Sequence, residues 1–345
     1  MPLNDLHVID PRSDDAYDTW VGSRRTSTVF HCSAWARLLA DSYRFRPAYL
    51  LLNHEFEVAA CLPLMEVDSL ITGRRGVSLC FSDSCGAVAD GEEEFHALLQ
   101  AALAHGRKRK WRYLEFRGER FLEAEVASRC FVNHTLALCR DPDEMFARVR
   151  KSTARGIRKA LKEGVRVRFH RDLEGVLTYY KLHCLTRKRQ GVPPQPRSYF
   201  VNLHRHLIGR GLGFAVLAYH AGTAVAGAIC LHYGSNAIYK YGASDERYQS
   251  LRANNLLFWE MITRCAQSGL ENLSLGRTDP DNRGLIQFKD GWGGVRSELK
   301  YHRYDFREGG FCGPGAEEWK YSALLKKLPG GMLRALGELG YRHMG

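Results

Sequence analysis

The chain has 345 residues, 45% of them hydrophobic, which is room for two domains of ordinary size with packed cores. Fifty Lys and Arg against 38 Asp and Glu give a net charge of +12. That excess favours anionic partners such as phosphates, nucleic acid or a membrane surface and says nothing about fold. Ten scattered cysteines form no CxxC pair, and several fall in apolar runs, so they read as free thiols in a reducing compartment and no zinc site is expected.

The first thirty residues carry Asp5, Asp10, Asp14 and Asp15 and no apolar stretch, so no signal peptide is expected there. No apolar run approaches the ~18 residues of a membrane span. A cytoplasmic protein is the expectation. Between residues 27 and 46, Trp35, Leu38 and Leu39 have helical spacing behind Ser33, a possible cap. Residues 48–52 and 57–65 predict a strand pair around Asn53-His54-Glu55, and 76–88 predict strand and turn. Glu92–Lys110 predicts a helix with Phe95, Leu98, Leu99 and Ala102 inward, followed by strands at Tyr113–Phe116 and Val132–Cys139. Strands alternating with helices indicate an α/β fold.

A boundary is expected near Asp141-Pro142-Asp143. The spacing after it predicts one helix over Asp143–Glu163, with Phe146, Val149, Thr153, Ile157, Ala160 and Leu161 as its apolar stripe. Ten Lys or Arg lie between Arg148 and Arg171, among them Arg155 and Arg158. They form either a solvated face or an anion-binding face for phosphates or RNA. A helix at Leu173–Arg187, a proline-stiffened loop at Gln190–Pro196 and a helix at Ser198–Ile208 follow. Residues 214–219 and 224–232 predict a second strand pair around His220-Ala221-Gly222-Thr223. Its Val225-Ala226 stands 167 residues after Val58-Ala59 of the first pair, a weak internal repeat that hints at two like domains.

The stretch from Tyr233 to Gly294 holds the strongest candidate site. It predicts a strand at Ala237–Ala243, a polar and partly basic loop to Ala253, and a helix at Asn254–Ser268 with Leu257, Met261, Ile262 and Cys265 inward. A short strand at Asn272–Leu275 then leads into Gly276-Arg277-Thr278 and, further on, Phe288-Lys289-Asp290-Gly291-Trp292-Gly293-Gly294. Backbone N–H groups at a helix start bind anions, and Lys240, Arg247, Arg252, Arg277 and Lys289 lie on either side of this one. A strand at Glu298–Tyr304, a glycine-rich break at Gly309–Gly315, a helix near Glu317–Lys327 and an amphipathic tail at Met332–Tyr341 complete the chain. The tail reads as a docked terminal helix or a peripheral membrane contact.

No Walker loop, GxSxG, HExxH or GxGxxG after a strand is present. Residues 179–304 resemble the second domain of FemAB-type acyltransferases, a branch of the GNAT superfamily. The resemblance rests on Thr186-Arg187, Gly191 and Pro193 ahead of Tyr199-Phe200; on Gly222, Val225-Ala226-Gly227; and on Asn254-Asn255-Leu256-Leu257 with Trp259-Glu260. It rests most on Gly276-Arg277-Thr278, Gly284, Phe288-Lys289 and Trp292-Gly293, close to a signature of FemAB-like proteins of exosortase and exopolysaccharide clusters. The basic run from Arg155 to Val165 is similar to the family's interdomain helix, and residues 27–140 fit a degenerate first domain.

The resemblance implies an α/β (α+β) fold of two tandem GNAT-like domains, each a mixed twisted sheet flanked by helices, with a cleft between them. The first would span 1–141, completed by helices of 306–345, and the second 142–305. The implied activity is transfer of an acyl or aminoacyl group to an amine of a cell-envelope, peptidoglycan or exopolysaccharide precursor. The donor would be aminoacyl-tRNA or acyl-CoA, with no tightly bound cofactor and no DNA. An acyl-CoA-dependent N-acetyltransferase of an amino sugar or small amine, or a non-catalytic pair binding RNA or an anionic polymer, are the alternatives.

The family's FK lysine places Lys289 at donor phosphate and developing negative charge; the alternative is a surface lysine beside a structural Trp292. Arg277, Lys240, Tyr241, Asn254, Asn255, Trp292, Arg155 and Arg158 are expected on the substrate, and Arg247 and Arg252 on the donor. His232, Glu260 and Asp290 are candidate bases. The GNAT pyrophosphate loop, R/Q-x-x-G-x-G/A, is absent: Gln249-Ser250-Leu251-Arg252-Ala253-Asn254 holds its place without a glycine. That departure counts against acetyl-CoA as donor.

Overall fold

The computed structural model describes residues 4–55, 57–315, 325–326 and 328–345. The chain divides into two compact units, one of Met1–Phe131, Glu298–Glu318 and Gly340–Gly345, the other of Val132–Ser297 and Trp319–Leu339.

The first unit opens with β1 (Asn4–Ile9), α1 (Asp15–Ser23), α2 (Ser33–Tyr43) and β2 (Arg46–Pro47). Then come β3 (Tyr49–His54), β4 (Glu57–Leu62), β5 (Met65–Ser69), β6 (Gly73–Ser78), α3 (Glu92–Arg109) and β7 (Tyr113–Arg117). β1, β3 and β4 make a small antiparallel sheet. β5, β6 and β7 make a second sheet in which β6 and β7 run parallel across α3. The inward residues of α3, Phe95, Leu98 and Ala102, are buried against Leu50, Leu62, Leu114 and Phe116.

The second unit takes up β8 (Arg129–Ala137) from Val132 onward, then α4 (Pro142–Ala147), α5 (Lys151–Lys162), β9 (Arg166–His170), α6 (Leu173–Gln190) and α7 (Arg197–His206). β10 (Gly213–His220), β11 (Thr223–Tyr233), β12 (Asn236–Ser244), α8 (Ala253–Gln267), β13 (Asn272–Ser274) and α9 (Arg283–Asp290) follow. The order in this sheet is β8-β13-β12-β11-β10-β9, antiparallel except for the parallel pair β12 and β13. α8 buries Leu257, Met261, Ile262 and Cys265 against Val216, Ala218, Ala228 and Cys230 of the sheet. Each such side chain contributes roughly 1.5–3 kcal/mol through apolar burial. Ile157 and Ala160 of α5 join the same core.

Both units contain strand, crossover helix, parallel strand, β6, α3, β7 in one and β12, α8, β13 in the other; a hairpin precedes each, β3–β4 with β5 intervening in the first and β10–β11 directly in the second. Val58 and Val225 lie on the second strand of their hairpins. From Glu298, β14 (Val295–Asp305) pairs with β7, and β15 (Gly310–Cys312) pairs with β14. The last helix, α10 (Gly330–Gly340), belongs to the second unit as far as Leu339, so 306–345 does not return to the first unit as a whole. It is held there because Gly337 lies against the carbonyl of Pro194 and Glu338 accepts the Arg197 N–H at 3.0 Å. The helix expected near Glu317–Lys327 falls largely outside the described residues.

The helix expected over Asp143–Glu163 is two helices. Arg150 is extended, and its N–H donates to the carbonyl of Gly291 at 2.9 Å instead of continuing the helix. Among the described residues no helix is long and apolar enough to cross a membrane.

Candidate functional site

Three residues of β12, Asn236 to Ile238, pair with three of β13. Beyond Ile238 the two strands part: β12 continues along β11 to Ser244, while β13 ends at Ser274 and Thr278 bridges to Val132 of β8. At the parting, β12 carries a bulge. Ile229 faces Tyr241 and Cys230 faces Tyr239, so Lys240 is the extra residue. Simple alternation would put Tyr239 and Tyr241 on one face. The bulge sends them to opposite faces. Tyr239 meets Phe258 of α8 with ring centroids 4.5 Å apart, and Tyr241 meets Tyr199 and Phe200 of α7 and His183 of α6. The Tyr241 hydroxyl accepts from Gln195 Nε2 at 3.1 Å and shares a hydrogen bond with the Tyr199 hydroxyl at 2.9 Å. Lys240 lies 5.1 Å over the Tyr241 ring. Thr186 closes the strand's far end, receiving the Ser244 N–H at 3.0 Å and donating to its carbonyl.

The loop after β12 returns through a tight turn, Glu246–Leu251, into α8. Arg252 precedes the helix at φ +57°, the left-handed region that glycine serves. This is the position that the first glycine of the R/Q-x-x-G-x-G/A pattern would hold, and the chain takes a left-handed backbone there although the glycine is absent. Among the described residues no side chain caps α8, and its first turn contains no acid. Its leading N–H groups can therefore serve an anion. The matching helix of the first unit differs. α3 begins Glu92-Glu93-Glu94, with Glu94 turned back onto the N–H of Asp90 and Gly91, which opposes a phosphate.

The expected site residues divide by this frame. Lys240, Tyr241, Arg252, Asn254 and Arg277 lie on the elements that border the parting strands and the helix start. Asn255 is half-buried with its amide against Gly156 of α5. Arg247 is committed to Asp245, with Nη2 at 2.6 Å, and that hydrogen bond holds the Asp245 carboxyl below the usual carboxylate range. Arg155 and Arg158 are exposed on α5.

Lys289 is not the surface lysine that one reading allowed. Only 2% of it is exposed, and Nζ donates to the carbonyls of Gly276 at 2.6 Å and Arg277 at 3.4 Å. It thereby fixes the loop that follows β13. Trp292 is likewise buried, stacked on Phe258 at 5.4 Å. Gly291 permits this packing, since a Cβ there would stand 2.3 Å from the Thr153 hydroxyl.

Of the candidate bases, Asp290 is brought to about 2, chiefly by the hydrogen bond from Arg296, with His134 adding to it. At neutral pH it is an ionised strut between α9, β8 and β14. Burial raises Glu260 and lowers His232. Sequence reasoning passed over His183, which burial drives well below the ordinary imidazole value. It is neutral, 6.1 Å from the Tyr241 ring, and its Nε2 has no partner among the described residues. Its place one turn before Thr186 was the available signal.

Residues 147–289, within the second unit, match the family model described as "Acetyltransferase (GNAT) domain". The chain is similar in fold to the structure titled "Crystal structure of FemX", with TM-score 0.69 and 16% identity over 88% of this chain and 98% of that one. It is also similar to L-PGS from Bacillus licheniformis, with TM-score 0.56 and 11% identity over 94% and 98%. A third likeness is to a tandem GNAT protein from the clavulanic acid biosynthesis pathway, with TM-score 0.55 and 12% identity over 88% and 98%. No curated protein matches the sequence.

Proposed function

We propose that the protein is an N-acyltransferase that moves an acyl or aminoacyl group from a phosphate-bearing donor to an amine of a cell-envelope precursor. The observation that carries this reading is the parting of β12 from β13 beside an uncapped, acid-free helix start led by a left-handed Arg252. Donor phosphate would bind the N–H groups of Ala253 and Asn254, with Arg252 and Arg277 adding charge. The acyl carbonyl would lie at the bulge, where a backbone N–H released from the ladder stabilises the oxyanion. A neutral amine attacks the carbonyl carbon, the tetrahedral species expels the donor's thiolate or ribose oxygen, and the amine proton leaves with that group. Lys289 acts in this scheme as a positioning residue through Gly276 and Arg277, and Trp292 by packing. Envelope substrates are supported by the likeness to FemX and to L-PGS, and work on such precursors places the protein in the cytoplasm. Peptidoglycan and exopolysaccharide precursors both fit.

Two donors suit the site. The left-handed residue at the loop's glycine position supports acyl-CoA. The exposed basic residues of α5, Arg155 and Arg158 among them, support aminoacyl-tRNA. Titration with acetyl-CoA and with charged tRNA, each against wild type and Lys289→Met, separates them. Saturable CoA binding without tRNA binding selects the first, and tRNA binding that weakens steeply with salt selects the second. If neither ligand binds, the transferase reading fails.

A further inference from the structure

The hairpin of β5 and β6 ends in a three-residue loop, Leu70, Ile71 and Thr72, with Gly73 at φ +82° closing it. Hairpin loops are ordinarily polar. Here the first two residues are large aliphatics, and among the described large hydrophobics they are the most exposed: Leu70 stands wholly in solvent and Ile71 is 75% exposed. The backbone beneath them is tied down. Buried Ser69 accepts at Oγ the N–H of Ile71 at 3.1 Å and of Thr72 at 3.0 Å, and it meets His343 Nδ1 at 2.9 Å. Thr72 Oγ1 donates to the carbonyl of His343 at 2.9 Å, and His343 belongs with the hairpin to the first unit. The fold thus turns the loop's polar atoms inward and presents two adjacent aliphatic side chains to water, which a purely structural turn does not need.

Arginines stand directly against this tip. Arg112 Nη1 donates to the Thr72 carbonyl at 3.3 Å, and its Cδ would lie 2.5 Å from a Cβ at Gly73. Arg75 donates from Nη1 to Thr72 Oγ1 at 2.6 Å and from Nη2 to the His343 carbonyl at 2.8 Å. Arg342 Nε lies 3.1 Å from His343 Nε2. Two acids are near, and each is paired: Asp68 with Arg74 at 2.9 Å and Glu66 with Arg109 at 2.6 Å. Arg112 and Arg342 are exposed, and among the described residues no acid pairs with either.

This composition selects the partner. A hairpin tip is convex, and leucine is under-represented among the anchors of protein interfaces. To a nucleic acid, leucine and isoleucine offer neither a stacking face nor a hydrogen bond. Aliphatic side chains set beside unpaired guanidinium groups match an anionic bilayer surface, where acyl carbon borders a layer of phosphate. We infer that the β5–β6 tip docks the protein on an anionic phospholipid surface. Leu70 and Ile71 enter the headgroup boundary, and Arg112 and Arg342 meet lipid phosphates. This goes beyond the transferase reading and does not depend on it, because vesicle binding is measured without turnover.

The test is flotation of the full chain with vesicles of phosphatidylglycerol and phosphatidylcholine, compared with phosphatidylcholine alone. Wild type should float with the anionic vesicles only, and less at 0.5 M salt, where the Debye length is roughly 4 Å. Leu70→Ser/Ile71→Ser should lower the partition coefficient roughly tenfold or more, and Arg112→Gln/Arg342→Gln about fivefold or more. Leu161→Ser, at an exposed leucine of α5 in the second unit, should leave it unchanged. Unchanged melting curves confirm that each variant folds. The inference is overturned if wild type does not float, if it floats equally with both lipids, or if either double variant binds like wild type. It is also overturned if light scattering shows a dimer that Leu70→Ser/Ile71→Ser dissolves while no vesicle binding occurs, since the tip would then join two copies.

Discussion

Replacing Asp290 by asparagine should weaken the second unit by an amount that depends on pH. The carboxylate accepts from Arg296 Nε at 2.6 Å and from His134 Nε2 at 3.0 Å. A carboxyl brought from 3.8 to about 2 prefers its ionised form by roughly 2 kcal/mol. Arg296 is more than half exposed, so solvent screening leaves about 1 kcal/mol. Asparagine keeps one acceptor oxygen, for Arg296 Nε and His134 Nε2, removes the charge and replaces the oxygen that accepts from Arg296 Nη2 with an amide N–H, a loss that does not vary with pH. Because the folded value lies below the unfolded one, the charge-dependent stability is full above about pH 4 and is lost as pH falls through about 2. Urea midpoints of wild type and Asp290→Asn, measured from pH 6 to pH 2.5, should therefore converge as pH falls. A gap that stays constant, or widens toward acid, refutes the assignment of the strut to charge.

Other substitutions probe the helix start and the bulge. Arg252→Gly and Arg252→Ala both remove the charge, but only glycine relaxes the left-handed backbone. The glycine variant should melt above the alanine variant by the equivalent of about 1 kcal/mol, and both should bind donor more weakly than wild type. Gly242→Ala places a Cβ 1.5 Å from the Tyr239 hydroxyl and must displace that ring from Phe258. Stability should fall by about 2 kcal/mol or more, by thermal melting, with loss of transfer activity. In the native protein, thiol reagents should modify exposed Cys130 while Cys32, Cys61 and Cys80, each raised to about 12 by burial, react only on unfolding.

Apolar periodicity carried most of the fold. The face of α8, the inward side of α3 and both hairpins follow from patterns of 3.6 and 2, and the paired valines marked the repeated order of elements. Features decided by tertiary contact were not legible. The break between α4 and α5 arises because the Arg150 N–H is taken by Gly291, which lies 141 residues away. The bulge at Lys240 reverses a side-chain direction that alternation alone cannot assign. Charge alone did not show that Lys289 reaches backbone carbonyls inside the unit or that Arg247 pairs with Asp245 two residues before it. Nor does the sequence show that the residue before α8 is left-handed, since arginine and not glycine holds that position. α10 was visible only as amphipathic character, because spacing does not tell which face of a helix a body covers.

The central claim is that donor phosphate sits at the start of α8 and not at the acidic start of α3. Amide hydrogen exchange, measured by mass spectrometry with and without saturating acetyl-CoA or charged tRNA, tests it most directly. Peptides covering residues 249–256 should become protected while those covering 90–96 stay unchanged. Protection at 90–96, or none at 249–256 under conditions where the donor is bound, contradicts it.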